Sequence, residues 1–234
     1  MTLFKVFLLL LLFINVNSHA SQLSDTLEKK EIQKTDLEKQ LIYNGRIWRN
    51  KFIGIKGDPY FLSGDFLWGN ILFNGREFLN LRIKYDIFND EVVLWVDLQT
   101  IIFLNKEMVN EFTIKNQDRT YRILNTGKDS TSLVKGFVNI LYDGPTALFV
   151  KNVKKIDLQP QDKMRAAFYQ QHRIYVRKDS TLIQVNGKRG LFKLLGDRIT
   201  EVRDFVNDNR LNVSRKDPYS FVPVLEFYDG NTRP

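Results

Sequence analysis

The spacing of apolar and polar residues changes along the chain, and each change marks a different kind of structure. Through the middle the period is two. In Leu79-Asn80-Leu81-Arg82-Ile83-Lys84-Tyr85-Asp86-Ile87 the odd positions are apolar and the even ones polar, which predicts a half-buried strand with one wet face. Ile71-Leu72-Phe73 precedes it through Asn74-Gly75, a pair that tolerates the positive φ of a tight type I′ hairpin. Beyond the turn at Asn89-Asp90, Glu91–Leu98 continues the pattern. Ile101–Asn105, Glu111–Lys115, Thr120–Leu124, Phe137–Tyr142, Ala147–Ile156, Ile174–Arg177 and Leu182–Val185 read as further short strands, with Asp143-Gly144 as another hairpin signal. Many short alternating strands joined by turns predict an antiparallel meander.

From Lys188 the period lengthens. Leu191, Leu195, Ile199, Val202 and Val206 fall on one helical face. Gly196-Asp197 is expected to break the run, with Asp197 capping the second helix, and Asp217-Pro218 to open another. Pro223 is expected to shorten or kink that last helix. These apolar faces need a partner, so the helices are expected on one face or end of the sheet.

At the other end, a lone Lys5, an apolar block from Val6 to Val16 and a Ser18-x-Ala20 site have the layout of a cleaved secretory signal. The block is shorter than the about 20 residues a bilayer span needs. Gln22–Gln40 is Lys/Glu-rich with a thin apolar stripe. The expected division is therefore a signal at 1–20, a charged helical or flexible lead-in at 21–41, an antiparallel β domain at 42–186 and a helical segment at 187–230. The expected fold class is α+β: a curved, mainly antiparallel β-sheet, in the form of a meander, β-clam or partial barrel, with C-terminal helices packed on it. The expected location is periplasmic or extracellular.

Composition narrows the function classes. The chain has 234 residues, 43% of them hydrophobic and none of them Cys. That suffices for a core, rules out disulfides, and removes the Cys on which a bacterial lipoprotein carries its lipid. The net charge is +8, and the excess gathers late. Lys188, Arg189, Lys193, Arg198, Arg203, Arg210, Arg215 and Lys216 face only Asp197, Glu201, Asp204 and Asp208 within the same stretch. Such a surface suits peripheral contact with anionic surfaces, or is a solvated helix face with mixed pairs such as Glu201 against nearby arginines. Export argues against nucleic acid as a partner.

Catalytic motifs are sparse. Once His19 leaves with the signal, His172 is the one histidine, which excludes the common zinc constellations and leaves no nucleophile elbow beside it. No phosphate loop or dinucleotide fingerprint occurs, and no cofactor or metal is expected. Asp86, Asp90, Glu91 and Asp97 could supply a hydrolase carboxylate pair, although Asp90 lies in a turn where a local role suffices. Aromatic residues crowd between Tyr43 and Phe73. Tyr43, Trp48, Tyr60, Phe61, Phe66 and Trp68 are the candidates for lining an apolar or sugar site, against ordinary core packing.

Ile55-Lys56-Gly57-Asp58-Pro59-Tyr60-Phe61-Leu62-Ser63, Gly69-Asn70-Ile71, Tyr85-Asp86-Ile87, Asn89-Asp90-Glu91-Val92, Tyr142-Asp143-Gly144, Leu194-Leu195-Gly196-Asp197, Val206-Asn207-Asp208-Asn209 and Glu226-Phe227-Tyr228-Asp229 together resemble a family of exported proteins from Bacteroidota. The resemblance runs from about Tyr43 to Tyr228 and implies export and one continuous architecture, with no activity attached. The family more often has Ser at position 58 and lacks the proline at 223. The expected function is a non-enzymatic envelope protein that binds a partner protein or an apolar ligand. The alternatives are a periplasmic lipid or lipoprotein carrier, and a glycan or peptide hydrolase.

Overall fold

The structure is a computed structural model that describes residues 40–127, 133–157 and 166–230. The expected signal and nearly all of the lead-in lie outside the described residues. The chain divides into a unit ending at Asn44 and a second from Gly45 onward. Of the first, Gln40–Asn44 is described, with the Tyr43 amide donating to the Gln40 carbonyl at 3.2 Å.

The second unit is built on an eleven-stranded sheet, curved and unclosed. Its strands are β1 (Gly45–Ile47), β2 (Leu67–Phe73), β3 (Arg76–Asp86), β4 (Glu91–Trp95), β5 (Ile101–Leu104), β6 (Val109–Asn116), β7 (Arg119–Asn125), β8 (Phe137–Tyr142), β9 (Ala147–Asp157), β10 (Ala167–Lys178) and β11 (Thr181–Val185). They lie in the order β1-β5-β4-β3-β2-β6-β7-β8-β9-β10-β11, every neighbouring pair antiparallel. Asn74 and Gly75 both take positive φ, 49° and 78°, as the β2–β3 hairpin was expected to require.

One row of side chains shows how the sheet buries its inner face. Phe78, Ile71, Phe112, Ile123, Asn139, Val150, Ile174 and Val185 stand directly opposite one another from β3 across to β11, and all are buried. The β3 pattern is interrupted once. Asn80 has a φ of 54° and the β2–β3 register shifts between Gly69 and Ile71. The extra residue reverses the phase of the strand. Leu79, expected to point inward, is therefore 54% exposed while Phe78 is buried.

Three helices follow the sheet: α1 (Lys188–Leu194), α2 (Ile199–Asp208) and α3 (Val222–Tyr228). Leu191, Leu195, Val202, Val206, Phe221, Val224 and Leu225 pack on Leu148, Ile174, Val176 and Val185 of the sheet. Asp217 accepts from the Tyr219 amide as the expected cap, but it opens a 3-10 turn over Pro218–Phe221. Pro223 then falls in the first turn of α3, where a missing N–H costs nothing. Asp197 does not cap α2. Its carboxylate turns away to Lys178 on β10 and to the Tyr228 hydroxyl, both at 2.6 Å, so it ties the helices to the sheet.

The connection from β1 to β2 acts as a strap. The Phe61 amide donates to the Tyr85 carbonyl and the Ile87 amide to that of Pro59. Lys56 exchanges bonds with Ala166 and Phe168 at the start of β10, and the Lys154 amide of β9 donates to the Ile87 carbonyl. Phe52, Phe88 and Phe168 meet edge to face within 5.2–5.5 Å. The strap thus joins the end of β3 to β9 and β10, which lie far apart in strand order.

Candidate functional site

One concavity follows from where strands end. β11 stops opposite Ile174, with Val185 as its last paired residue, and the strap bridges β10 at Ala167. Between them, the Gln170–Arg173 edge of β10 faces the turn Ser214–Lys216. That turn is firmly built: Ser214 and Asp217 form a bridge, and the Ser214 amide donates to the Ser220 hydroxyl. His172 Nε2 lies 2.6 Å from the Arg215 carbonyl and pins the turn to the sheet.

The resulting cleft has a volume of about 700 Å³. Lys155, Arg173, Arg215 and Lys216 line it with His172 and the amides of Gln170, Gln171, Gln184 and Asn186, and among the described residues no carboxylate takes part in the lining. A second basic groove lies just past Asn186, where Lys188, Arg189, Lys193 and Arg203 surround Phe192 and Ile199. Lys188 and Arg203 both stand over the Phe192 ring. None of these eight cations forms an ion pair with the described residues. Clustered unpaired cations raise the local potential for anions.

The aromatic candidates are divided between places. Tyr43 belongs to the unit that ends at Asn44. Phe61 turns to the inner face and meets Tyr85 and Tyr121 edge to face. Trp48, Tyr60 and Phe66 cover the opposite face, over Val93, Ile101 and Phe103. There burial pushes the Tyr60 phenol up to about 12, against a lowering bond from Trp48. Trp68, on β2, is 53% exposed. A small recess of about 190 Å³ brings Trp48 and Tyr60 together with Arg46, Arg49, Lys51 and Asp86.

Each of the carboxylates considered for hydrolysis has a structural occupation. Asp86 caps its turn through the Phe88 and Asn89 amides; burial raises its pKa, and those bonds oppose the shift. Glu91 pairs with Arg46, and Asp97 accepts from the Gln99 amide. Asp90 reaches well beyond its own turn. It accepts from Tyr85 Oη at 2.7 Å and from Lys106 and Lys151 Nζ at 2.6 Å each. Burial works to raise its pKa, but the two ammonium groups and the phenol win and hold it below the ordinary carboxylate value. Gly136 makes room for this knot, since a Cβ there would lie 1.8 Å from Asp90 Oδ2. Asp58 likewise accepts from the Tyr60 amide and Lys154.

Sequence reasoning marked Arg215 and Lys216 as part of a basic stretch but gave no weight to Lys155, Gln170, Gln171, Arg173 or Gln184. The available signal was the polar run Tyr169-Gln170-Gln171-His172-Arg173, inside what proves to be a strand. Among the described residues no three His, Asp or Glu side chains are placed to hold a metal ion, and no helix is long and apolar enough to cross a membrane. The fold defines the class as an α+β protein with a curved antiparallel sheet. No protein-family model, curated protein or solved structure matches the chain.

Proposed function

We propose that this is an exported, non-catalytic protein of the cell envelope that docks on an anionic surface through the basic cleft. The observation that carries the reading is the cleft lining: four cations and a histidine around about 700 Å³, without a carboxylate among the described residues. Were those cations only solubilising, acids would be interspersed with them as they are elsewhere on the sheet, where Glu111, Arg122 and Asp143 interlock. Contact with an anionic surface uses charge at close range and weakens as salt screens it.

The test is co-sedimentation of the protein with phosphatidylglycerol vesicles and with neutral phosphatidylcholine vesicles. Binding is expected on the anionic vesicles alone. It should fall with added salt and be lost in the double variant Arg215→Glu/Lys216→Glu. Equal binding to both vesicles, binding to neither, or indifference to the charge reversal refutes the proposal.

A second reading, a carrier of an apolar molecule, rests on one groove of about 420 Å³. Leu124, Val134, Val138, Phe149 and Leu182 supply its apolar lining, on the sheet face opposite the helices. Mass spectrometry of protein purified gently from its native envelope tests it: a stoichiometric acyl lipid supports a carrier, and an empty protein removes it.

A further inference from the structure

On the outer face of β2–β4, aromatic rings and two cations form one continuous row. Lys84 Nζ stands 4.7 Å from the Tyr60 ring centre and 4.3 Å from that of Phe66. Phe66 meets Trp95 at 5.2 Å. Arg82 lies over Trp95 at 5.4 Å and over Trp68 at 5.0 Å. The row follows from register. Trp68 on β2 is directly opposite Arg82 on β3, and Trp95 on β4 is one step past the Ile83–Leu94 pair. Arg82 is therefore flanked by an indole from each neighbouring strand. On its other side Trp68 stands opposite Lys115 of β6.

Two features of this row are unusual for a surface that only needs to be soluble. Arg82 Nε is buried with no hydrogen-bond acceptor, and no carboxylate pairs with the guanidinium among the described residues. The guanidinium lies near two indole rings, and its N–H groups other than the buried Nε match the oxygens of a carboxylate. The second feature is Trp68 itself, 53% exposed between a cation on each adjacent strand.

We infer that this row is a glycan subsite: one face of a sugar ring stacks on Trp68, and the carboxylate of an acidic sugar meets the outer edge of Arg82, with Lys115 as a second counter-charge. Stacking on an indole uses the apolar C–H face of a sugar, and the guanidinium fork reads its carboxylate. A single-stranded nucleic acid needs successive accessible rings for successive bases. Here Phe66 and Trp95 are half-buried and Tyr60 is buried, so Trp68 alone offers an open ring within the row. The site is separate from the basic cleft and stands or falls independently of it.

The experiment is isothermal titration of the protein with hexamannuronate, a linear polyuronate, beside uncharged mannohexaose and the oligonucleotide dT6. Hexamannuronate should bind with a change in indole fluorescence, and the other two should bind at least about tenfold more weakly. Trp68→Ala and Arg82→Gln should each weaken it by about tenfold or more, while Trp68→Phe, which keeps a ring, stays within about threefold. Arg215→Glu/Lys216→Glu should leave it unchanged. Thermal unfolding of each variant identifies one that has lost its fold, and Trp68→Phe against Trp68→Ala then decides, since position 68 is exposed. No binding of hexamannuronate, equal binding of mannohexaose or dT6, or dependence on Arg215 and Lys216 in place of Trp68 overturns the inference.

Discussion

Replacing Asp90 by Asn should be among the costliest polar substitutions in the protein. The carboxylate holds two ammonium groups, and Lys151, with 12% of its side chain exposed, has little recourse to water. Lys151 is fixed besides by the Phe137 carbonyl at 2.9 Å. Removing one partner of a buried pair costs about 3–5 kcal/mol, because the remaining charge is left uncompensated. Two features place this case at the lower end. Asp90 keeps 20% of its side chain exposed, Lys106 keeps 31%, and an amide can still accept from Tyr85. An expected loss of about 3 kcal/mol, with a urea slope of about 2 kcal/mol per molar, lowers the unfolding midpoint by about 1.5 M.

Lys151→Met should cost only about 1 kcal/mol, since Asp90 retains Lys106 and Tyr85. The double variant should then be less damaged than the sum of the two by at least about 1 kcal/mol. The pH dependence has a fixed sign. The folded carboxyl is held below its ordinary value, so its contribution is complete above the unfolded pKa of about 3.9 and disappears as the pH falls through the lower folded value. The gap between wild type and Asp90→Asn is therefore wide at pH 6 and narrows in acid. A midpoint shift under about 0.3 M, or strictly additive losses with Lys151→Met, would show that the knot is not the electrostatic unit described here.

Three further expectations concern the frame. Gly69→Ala should cost about 3 kcal/mol or more in chemical denaturation, because a Cβ would lie 2.0 Å from the Thr113 carbonyl oxygen and 2.8 Å from Ile83. Phe221→Ala should cost about 3–5 kcal/mol, as Phe221 is fully buried where the helices meet the sheet. Asp197, held at about 2 by the Lys178 bond and then the Tyr228 hydroxyl, should move by NMR titration toward the ordinary value of about 3.9 in Lys178→Met. Because the group is exposed, the accompanying loss of stability should be slight, fully developed above pH 4 and gone as the pH falls through 2.

The sheet was legible because its inner face is apolar almost without interruption. Phe137–Tyr142 matches β8 end to end, and the other predicted strands all fall on observed ones, though Leu79–Ile87, Glu91–Leu98 and Ile101–Asn105 overrun β3, β4 and β5. What was missed has local causes. β1 is three exposed residues held by pairing to β5, so it has no hydrophobic period to read. β10 begins at Ala167, seven residues ahead of the alternating Ile174–Arg177 run, because pairing with β9 holds its polar half. The bulge at Asn80 is invisible to alternation, which assumes a constant phase. The helical face was legible from Leu191 to Val206, whereas the occupation of Asp197 depends on Lys178 and Tyr228, distant in sequence. The cleft was hidden for the same reason: β9, β10, β11 and the Ser214–Lys216 turn each supply part of its wall.

The distribution of charge ties these observations together. Several acids of the sheet and its turns are paired with cations nearby: Asp58 with Lys154, Asp90 with Lys106 and Lys151, Glu91 with Arg46, Glu111 and Asp143 with Arg122. A chain of net charge +8 has cations left over, and unpaired ones gather at the β10 edge and along α1, with Arg203 of α2 beside them. The geometry that gathers them is the early stop of β11, which opens the strand edge, and the His172 contact that holds Arg215 and Lys216 beside it. A surplus spread evenly would serve solubility alone. Concentrated around a concavity, beside a groove whose aromatic floor is Phe192, it creates a directional field that draws anions to one side of the protein. Breaking the His172 contact should therefore loosen the Ser214–Lys216 turn and weaken anionic binding even though the number of positive charges is unchanged. His172→Ala in the vesicle assay measures that effect: binding equal to wild type would mean that net charge alone, and not the arrangement of the cleft, does the work.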